Sequence, residues 1–313
     1  MKDENPPLVS ILCITYNHEK YITQAIEGFL MQKTTFPFEI IIHDDASTDN
    51  TAGIIKEYEA KYPYLFSNIY QTENLYSKTN RDILKIVFSA AHGKYIAICE
   101  GDDYWIDTDK LQKQVDFLEE NPKFSAIGHQ TEIIYENYPG KTELFSGYSE
   151  QTLSKKKIVQ SNVFHTNAIV FRKDALMKYD LTIAKHLVEH ALFILIAQSG
   201  KFYILPDIMS VYRRHDYGAA GTSTPEKAYP GQILWIREVR EILGRRFFWG
   251  YHFLSSSVHF YYAINHPEIF RGGLFKRNFY FFKYITLTLL LYPRNIKTVI
   301  RLIPKLSGST KSR

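Results

Sequence analysis

The sequence predicts an α/β protein with a Rossmann-like, mostly parallel sheet flanked by helices and a basic, aromatic, helical C-terminal extension. Two patterns predict this fold class. Apolar β-branched runs alternate with amphipathic helical segments four times at the start of the chain, which is the spacing of βα units. From Pro225 onward the pattern is helical. We therefore expect a first domain at residues 1–220 and a helical region at residues 221–313.

Each of the first four strands is short, apolar and followed by a helix. The run LVSILCITY (8–16) is β-branched and has no helical period, whereas the next segment repeats apolar pairs every four residues. Gly93 and Asn121-Pro122 end two later helices. The predicted strands are 8–16, 38–45, 68–72 and 94–103, and the predicted helices are 18–32, 47–62, 79–93 and 108–122.

Beyond residue 123 the alternation becomes irregular. The apolar segment LVEHALFILIAQSG (187–200) predicts a helix ended by Gly200, and the small residues of 216–227 predict a mobile loop. The remaining predicted strands are 124–135, 167–176 (running into a short helix), 201–206 and 208–215.

Charge is distributed unevenly along the chain. The formal net charge is +5, but residues 245–313 hold twelve Lys and Arg against one acid, so the rest is net acidic. Basic residues interleave with aromatics in the tail, and its longest uncharged run, 284–293, is far shorter than the about 20 residues of a membrane span. We expect 274–313 to lie on the inner face of the cytoplasmic membrane. A helical cap with a buried aromatic core is the alternative.

Cysteine usage and missing motifs narrow the class of protein. Cys13 and Cys99 lie in apolar runs, and the opening segment lacks the apolar core of a signal peptide, so we expect a cytoplasmic protein without a disulfide. No dinucleotide-binding G-x-G-x-x-G, P-loop, zinc-type Cys/His spacing or G-x-S-x-G elbow occurs. No nucleic-acid-binding module accompanies the basic residues, so no nucleic-acid partner is expected.

The segment AICEGDDYWID (97–107) places Glu100, Asp102 and Asp103 at the end of a predicted strand. At about 4 Å and an effective dielectric constant of about 20, each pair of like charges costs roughly 4 kcal/mol. Hard oxygen ligands clustered on a turn suit Mg²⁺ or Mn²⁺ bridging substrate phosphates, with Asp102 as the direct ligand. The alternative is helix capping, a role that Asp107 already suits.

A second acidic strand end lies in HDDASTDNT (43–51). Asp44 and Asp45 end a strand, where carboxylates can accept hydrogen bonds from a nucleotide base or ribose. Ser47 and Asp49 are interpreted as helix-capping residues. Ligands of parallel α/β sheets bind beyond the carboxyl ends of the strands, so both acidic ends are expected to line one crevice.

Three blocks in order, LVSILCITYNHEKYITQAIEGFLMQ, FEIIIHDDASTDNT and HGKYIAICEGDDYW, resemble the family 2 glycosyltransferases of bacterial surface-polysaccharide synthesis, which have the GT-A fold. The resemblance covers roughly residues 8–215. It implies that Thr15, Tyr16 and Asn17 contact the nucleotide and that Asp44 and Asp45 contact its base and ribose. It also implies a D-x-D motif at Glu100-Gly101-Asp102, where Glu at the first place departs from the family pattern.

The resemblance also implies a catalytic base and a cationic segment. Counting back along the apolar helix places the base at Glu189, where the family has Asp. His190, next to it, is a competing base. The alternative for Glu189 is a structural role, in which its charge favours the N-terminal end of the helix dipole. The segment VYRRH (211–215) implies that Arg213 and His215 lie by the diphosphate, with a solvated basic turn as the alternative. His129 and His165 are interpreted as core histidines.

The resemblance implies an inverting, metal-dependent transferase using Mn²⁺ or Mg²⁺. Its donor would be a nucleotide sugar, with UDP as the default nucleotide, and its acceptor a polyprenyl-diphosphate-linked saccharide of O-antigen or capsule synthesis. A nucleotidyltransferase is an alternative, but it would carry a Gly-rich basic loop where CITYNHEKY stands. The other alternative is a non-catalytic protein that binds a sugar nucleotide or glycan. In such a protein Glu100 and Glu189 would mark catalytic positions that have been lost.

Overall fold

A computed structural model describes residues 6–76, 83–181, 188–216, 224–266 and 269. The chain divides into two compact units, Met1–Lys185 with Leu192–Gly221, and His186–Ala191 with Thr222–Arg313. The second unit therefore takes a short segment near residue 189 in addition to the region beyond residue 221. Each unit is described by itself.

The described residues form ten strands and nine α-helices. The strands are β1 (Val9–Thr15), β2 (Phe38–Asp44), β3 (Ile69–Tyr70), β4 (Tyr95–Ile98), β5 (Tyr104–Trp105), β6 (Phe124–Tyr135), β7 (Thr142–Leu144), β8 (Gln151–Leu153), β9 (Val170–Arg172) and β10 (Lys201–Arg214). The helices are α1 (Ile22–Leu30), α2 (Thr51–Lys61), α3 (Ile83–Ala90), α4 (Lys110–Glu120), α5 (Lys155–Gln160), α6 (Lys173–Met177), α7 (Glu189–Ile196), α8 (Pro225–Leu243) and α9 (Phe248–Asn265).

The strands form one mixed sheet in the order β3-β2-β1-β4-β9-β6-β10-β5, with β7 paired to β6 and β8 to β10. The first four are parallel, as their alternation with helices predicts. β9 is antiparallel to both β4 and β6, and β6 is parallel to β10. The prediction of parallel strands therefore holds for β1 to β4 in the N-terminal half. Strands with antiparallel neighbours complete the sheet.

The register of the parallel strands places the predicted site residues at one edge of the sheet. Thr15 at the end of β1 is level with Asp44 at the end of β2, and Leu12 of β1 pairs with Ile98 at the end of β4. The chain segments that follow β1, β2 and β4 therefore begin at the same edge of the sheet.

Apolar side chains of β1 and α1 form the centre of the core beneath this edge. Ile11, Cys13, Ile26 and Phe29 are fully buried, and Cys99 is buried as well. Both cysteines are free, as predicted. A strand buried on both faces has no polar–apolar alternation, which is why β1 reads as a continuous apolar run.

Several elements differ from the prediction. Residues 201–214 form one strand with register shifts against β6, where two strands were predicted, because the shifts absorb the interruption at Pro206. The short elements β5, β7, β8 and α5 were not predicted. The start of the predicted helix at 79–82, most of the predicted loop at 216–227 and the tail beyond residue 269 lie outside the described residues.

The second unit is helical in its described part. α8 is followed by a 3₁₀ turn, Gly244–Phe247, and then by α9. Trp235, Val239, Phe247 and Leu254 are buried. Among the described residues, none of the helices has the length and apolar content that crossing a membrane requires.

Candidate active site

The loop at residues 99–103 is built against the end of β1. The amide of Cys99 donates to Leu12 O and that of Gly101 to Ile14 O, each at 3.0 Å, so the loop continues alongside β1 after β4 ends. A Cβ atom at position 101 would lie 2.5 Å from Thr15 Oγ1 and 3.0 Å from His18 Nδ1. Glycine is therefore required here by close packing.

Asp102 faces two imidazoles at this edge. Its Oδ2 lies 3.2 Å from His215 Nε2 and 3.7 Å from His18 Nε2. Burial by itself would raise the pKa of Asp102, but the hydrogen bond from His215 and the charge of His18 outweigh it and lower the pKa below its usual value. Burial lowers the pKa of His18 despite the attraction of Asp102. Asp102 is thus an ionised carboxylate held between imidazoles.

Asp103 is engaged with protein donors. It is 1% exposed and accepts hydrogen bonds from Arg213 N and Asn167 Nδ2, each at 2.9 Å, and His165 Nδ1 lies 3.3 Å away. Burial, with the charges of Asp102 and Glu100, raises the pKa of its carboxyl well above the usual value. Its contacts tie the loop to β10 and to the 3₁₀ turn at Thr166–Ala168.

Asn167 organises the polar groups under the loop. Besides donating to Asp103 it donates to Val211 O at 3.1 Å, and its Oδ1 accepts from Thr131 Oγ1 and Ser210 Oγ at 3.1 and 2.8 Å. It is fully buried. Nothing in the sequence around Asn167 singles it out.

The Arg213 guanidinium lies between two aromatic rings, 4.7 Å from the centroid of Tyr21 and 5.0 Å from that of Tyr104. It donates to the carbonyl of Asp102 and, at 2.6 Å, to Gln24 Oε1. Arg213 therefore fixes the acidic loop against α1. Its predicted contact with a diphosphate stays a prediction, as does that of His215.

His165 was interpreted as a core histidine, but it lies beside the acidic loop. Its ring stacks on Tyr212 with centroids 4.1 Å apart, and its ligand nitrogen lies within 4.8 Å of a carboxylate oxygen of both Glu100 and Asp103. These three side chains form a group that could hold a metal ion. By contrast His129 is buried, with Nδ1 at 2.8 Å from Gln130 O, as a core histidine would be.

The predicted nucleotide-contacting residues cluster beyond β1 and β2. Tyr16 is 41% exposed, whereas Thr15 is buried under the loop. Asn17 has a positive φ of 56°, and its Oδ1 accepts from Thr48 N at 2.7 Å. These contacts hold the segment after β1 against the segment after β2.

Asp44 and Asp45 are buried and hydrogen-bonded. Asp44 accepts from the amide and hydroxyl of Ser47. Asp45 accepts from Leu75 N and Tyr76 N at 2.8 and 2.9 Å. Their described hydrogen bonds hold the segments at 44–47 and 74–76 in place, and contact with a base or ribose would use the remaining lone pairs of Asp44 and Asp45.

The capping residues differ in detail. α2 begins at Thr51, four residues later than predicted, and Asp49 accepts from the amide and hydroxyl of Thr51 at 3.0 and 2.6 Å. Ser47 instead accepts from Asn17 N at 2.9 Å. Asp49 therefore accepts hydrogen bonds at the start of α2, as a capping residue would. Ser47 instead links the segment after β1 to the segment after β2.

Glu189 is the first residue of α7 and belongs to the second unit. His190 follows it, with its ring centroid 5.6 Å from that of Trp235 in the same unit. The catalytic role of Glu189 stays a prediction.

Comparison with known proteins identifies the class. A sequence model described as glycosyl transferase family 2 matches residues 10–180, more than half of the chain. An uncharacterized protein of Mycobacterium tuberculosis is 41% identical over 211 residues, which cover 67% of this chain and 60% of the relative. The chain thus spans less than two thirds of that relative. The Escherichia coli UDP-Glc:α-D-GlcNAc-diphosphoundecaprenol β-1,3-glucosyltransferase WfaP is 37% identical over 122 residues, or 39% of this chain and 42% of WfaP.

Solved structures share the fold. Staphylococcus aureus TarS, residues 1–349, in complex with UDP-GlcNAc aligns with a TM-score of 0.62 at 17% identity, covering 91% of this chain and 82% of TarS. The mannosyltransferase PcManGT of Pyrobaculum calidifontis, in complex with GDP-Man and Mn²⁺, aligns with a TM-score of 0.52 at 16% identity, covering 97% of this chain and 87% of PcManGT. The fold is of the GT-A type, which confirms the predicted fold class. The chain belongs to glycosyl transferase family 2.

Proposed function

We propose that this protein is an inverting, metal-dependent glycosyltransferase, which moves a sugar from a nucleotide-sugar donor to a hydroxyl group of a saccharide acceptor. The observation that carries the proposal is the loop at 99–103. In a chain of glycosyl transferase family 2, this loop presents Asp102 to His215 and His18 at the edge where β1, β2 and β4 end. Ligands of α/β sheets bind at such edges.

The side chains around Asp102 fit a divalent cation. Ligand atoms of Glu100, Asp103 and His165 lie within 4.8 Å of one another, and Asp102 stands between Glu100 and Asp103 in the same loop. Carboxylate suits Mn²⁺ and Mg²⁺, and imidazole suits transition metals. Asp102, as the direct ligand, with Glu100 and His165 would hold the ion, and PcManGT was solved with Mn²⁺. When bound, such an ion stabilises negative charge on a departing diphosphate.

Glu189 is the proposed base. It would take the proton from the acceptor hydroxyl as that oxygen attacks the anomeric carbon. The nucleoside diphosphate leaves from the opposite face, so the configuration at the anomeric carbon inverts. His190 remains the competing base.

UDP is the proposed nucleotide. The name of WfaP specifies UDP-Glc, and TarS was solved with UDP-GlcNAc. The exposed ring of Tyr16 stands where a base can stack on it, next to the segment of Asp44 and Asp45. GDP and dTDP sugars are the competing donors to be tested.

The proposed acceptor is a saccharide linked to polyprenyl diphosphate, in O-antigen or capsule synthesis. Its support is the name of WfaP, which specifies a diphosphoundecaprenol-linked acceptor. Such an acceptor would place the enzyme on the inner face of the cytoplasmic membrane.

The turn between α8 and α9 supports membrane contact by the second unit. Arg245 and Arg246 are exposed, as are Phe248 (44%) and Trp249 (60%), while Phe247 is buried and anchors the turn. Cations beside exposed aromatic rings suit the interface of an anionic bilayer. The predicted contact of residues 274–313 lies outside the described residues.

Liposome pelleting tests the membrane contact. Replacing Phe248 and Trp249 by Ala should lower the fraction of full-length protein that pellets with anionic vesicles. Tyr64→Ala is the matched control, since Tyr64 is an exposed ring of the first unit. Equal pelleting of both variants and the wild type would contradict contact through this turn.

Turnover tests the proposed enzyme. The full chain is incubated with UDP-, GDP- and dTDP-sugars and Mn²⁺, with and without lipid-linked saccharides, and release of nucleoside diphosphate is followed. One donor class should be consumed, Asp102→Ala should abolish consumption, and Glu189→Gln should lower transfer by about 10²-fold or more while donor binding persists. Glu226→Gln, which changes an acid in the first turn of α8, is the control. Donor binding without turnover would favour the non-catalytic binder.

A further inference from the structure

We infer that a strip of tyrosine rings and cations, which leads away from the acidic loop, binds the acceptor and that this acceptor is an anionic saccharide. The ring–cation strip consists of Tyr212, Arg214, Tyr135, Lys141 and Tyr138. The inference rests on the proposed function, because its ligand is the proposed acceptor. The sequence analysis gave none of these five side chains a role.

The ring–cation strip begins at the edge of the sheet that carries the acidic loop. β9 is antiparallel to both β4 and β6, so β6 runs in the same direction as β4, and β10 is parallel to β6. Tyr135 ends β6, Arg214 ends β10, and these two residues are paired in register. Both strands therefore end at the edge where the acidic loop follows β4.

Successive residues of β10 point to opposite faces of the sheet. Arg213 is buried against the acidic loop, where its amide donates to Asp103, whereas Arg214 is exposed. Tyr212, two residues before Arg214, lies on the same face as Arg214. The charge of Arg214 is thus presented to solvent next to the site, on the face opposite to Arg213.

A stacked imidazole connects this face to the acidic loop. Nδ1 of His165 lies 3.3 Å from Asp103 Oδ2, and the His165 ring stacks on Tyr212 with centroids 4.1 Å apart. Cζ of Arg214 then lies 5.7 Å from the centroid of Tyr212. The strip is therefore continuous with the proposed metal site.

The outer part of the strip lies on the turn between β6 and β7. Cζ of Arg214 is 5.6 Å from the centroid of Tyr135, and Nζ of Lys141 is 4.0 Å from the same centroid. Lys141 Nζ also lies 5.6 Å from the centroid of Tyr138, whose side chain is 64% exposed. The amide of Lys141 donates to the Tyr138 carbonyl at 3.0 Å, which fixes the turn. Rings and cations thus alternate from the acidic loop to an exposed ring.

The two cations of the strip can accept an anionic ligand. Neither Arg214 nor Lys141 forms an ion pair with a carboxylate among the residues that the structure describes. Three carboxylates around these strand ends are engaged by uncharged donors instead, in the pairs Tyr135–Glu143, Tyr21–Glu136 and Asn137–Asp216. A ligand with negatively charged oxygens would supply the charge that the strip lacks.

Rings and cations together fit a charged sugar. A pyranose ring has a face of C–H groups that can pack on a tyrosine ring and a rim of hydroxyls that need hydrogen bonds. A carboxylate or phosphate group on that sugar would bind Arg214 and Lys141. The anionic oxygens could belong to a uronic acid or to a glycosyl diphosphate, and the choice of probes separates these two sources.

Calorimetric binding of three acceptor probes to the full chain, without a donor, tests the inference. The probes are hexyl N-acetylglucosaminide, the hexyl diphosphate of the same sugar and hexyl glucuronide. At least one anionic probe should bind about tenfold or more tightly than the neutral probe. Preference for the diphosphate would assign the strip to the diphosphate of a lipid-linked acceptor, and preference for the glucuronide would assign it to an acidic sugar residue.

Variants of the strip should separate charge from stacking. Arg214→Gln and Lys141→Gln should each lower the affinity for the preferred anionic probe about tenfold and leave that for the neutral probe unchanged. Tyr138→Ala should weaken binding of all three probes. Lys61→Gln is the control for the charge variants, because Lys61 is an exposed cation over a tyrosine ring at the end of α2. Tyr64→Ala, at another exposed ring, is the control for Tyr138→Ala.

The inference and the proposed function fail on different results. Equal affinity of the wild type for neutral and anionic probes, no binding of any probe, or an unchanged preference in both charge variants would overturn the inference. If nucleotide sugars with Mn²⁺ still bind in the same samples, the proposed function survives that failure. Absence of nucleotide-sugar binding would overturn the proposed function, whatever the probes show. The preference of the wild type needs no variant, so misfolding of a variant would not prevent a decision.

Discussion

Replacing Gly101 by Ala tests whether the acidic loop depends on close packing against β1. The added Cβ would lie 2.5 Å from Thr15 Oγ1, where ordinary contact begins at 3.4 Å. Thr15 Cβ lies only 2.8 Å from the same position and β1 is paired with β2 as far as Thr15, so rotation of the Thr15 side chain does not relieve the overlap and the loop must move by about 0.9 Å. Overpacking of this kind costs about 1–3 kcal/mol of the free energy of unfolding.

The same displacement should disturb the metal site. Asp102 follows Gly101 directly, and its 3.2 Å contact with His215 cannot survive a shift of that size unchanged. A site needs its ligands within about 0.5 Å of the productive geometry, so Mn²⁺ affinity should fall at least about tenfold.

Urea unfolding and Mn²⁺ titration of Gly101→Ala measure both effects. Gly231→Ala is the control, because Gly231 lies inside α8 with nothing within 4 Å of its Cβ position. There, Ala should raise the free energy of unfolding by up to about 1 kcal/mol. Wild-type Mn²⁺ affinity and wild-type stability in Gly101→Ala would refute the packing argument.

Three further predictions concern other residues. Asn167→Ala removes a donor from buried Asp103 and from a buried carbonyl, so urea unfolding should show a loss of about 3 kcal/mol, and a loss under about 1 kcal/mol would count against the network. Burial lowers the pKa of Lys110 from 10.5 to about 7, so between these pH values the native state binds fewer protons than the unfolded chain, and the contribution of Lys110 to stability rises with pH. Lys110→Met should remove that rise in urea unfolding from about pH 6 to about pH 9, and parallel pH dependences would contradict it. Tyr16→Ala should weaken nucleotide-sugar binding about tenfold by calorimetry with unchanged stability, and equal affinity would exclude stacking on this ring.

The N-terminal half of the fold could be predicted because its signals are local. β1 is a continuous apolar run, α1 repeats its apolar pairs, and β6 has the bounds that its sequence predicts. The antiparallel neighbours could not be predicted in the same way. β7 and β8 are three residues each, too short for a period to be read, and their pairing depends on where β6 and β10 lie.

The acidic residues of the site could be predicted because acids at the ends of strands can be recognised in the sequence. The residues that position the acidic loop could not be predicted. His18, His165 and Asn167 contact the acidic loop from positions about 60 to 85 residues away along the chain, and only the sheet register brings them together. Arg213 was predicted as a cation of the site, but its place between two tyrosine rings is a property of the packed structure.

The most direct test of the central claim is calorimetric binding of UDP-, GDP- and dTDP-sugars to the full chain, in Mn²⁺ and in EDTA. The account predicts that one nucleotide class binds in Mn²⁺, that EDTA weakens this binding, and that Asp102→Ala abolishes the effect of Mn²⁺ while Asp116→Ala on α4 does not. Equal binding with and without metal in the wild type and Asp102→Ala, or no binding of any donor, would contradict it.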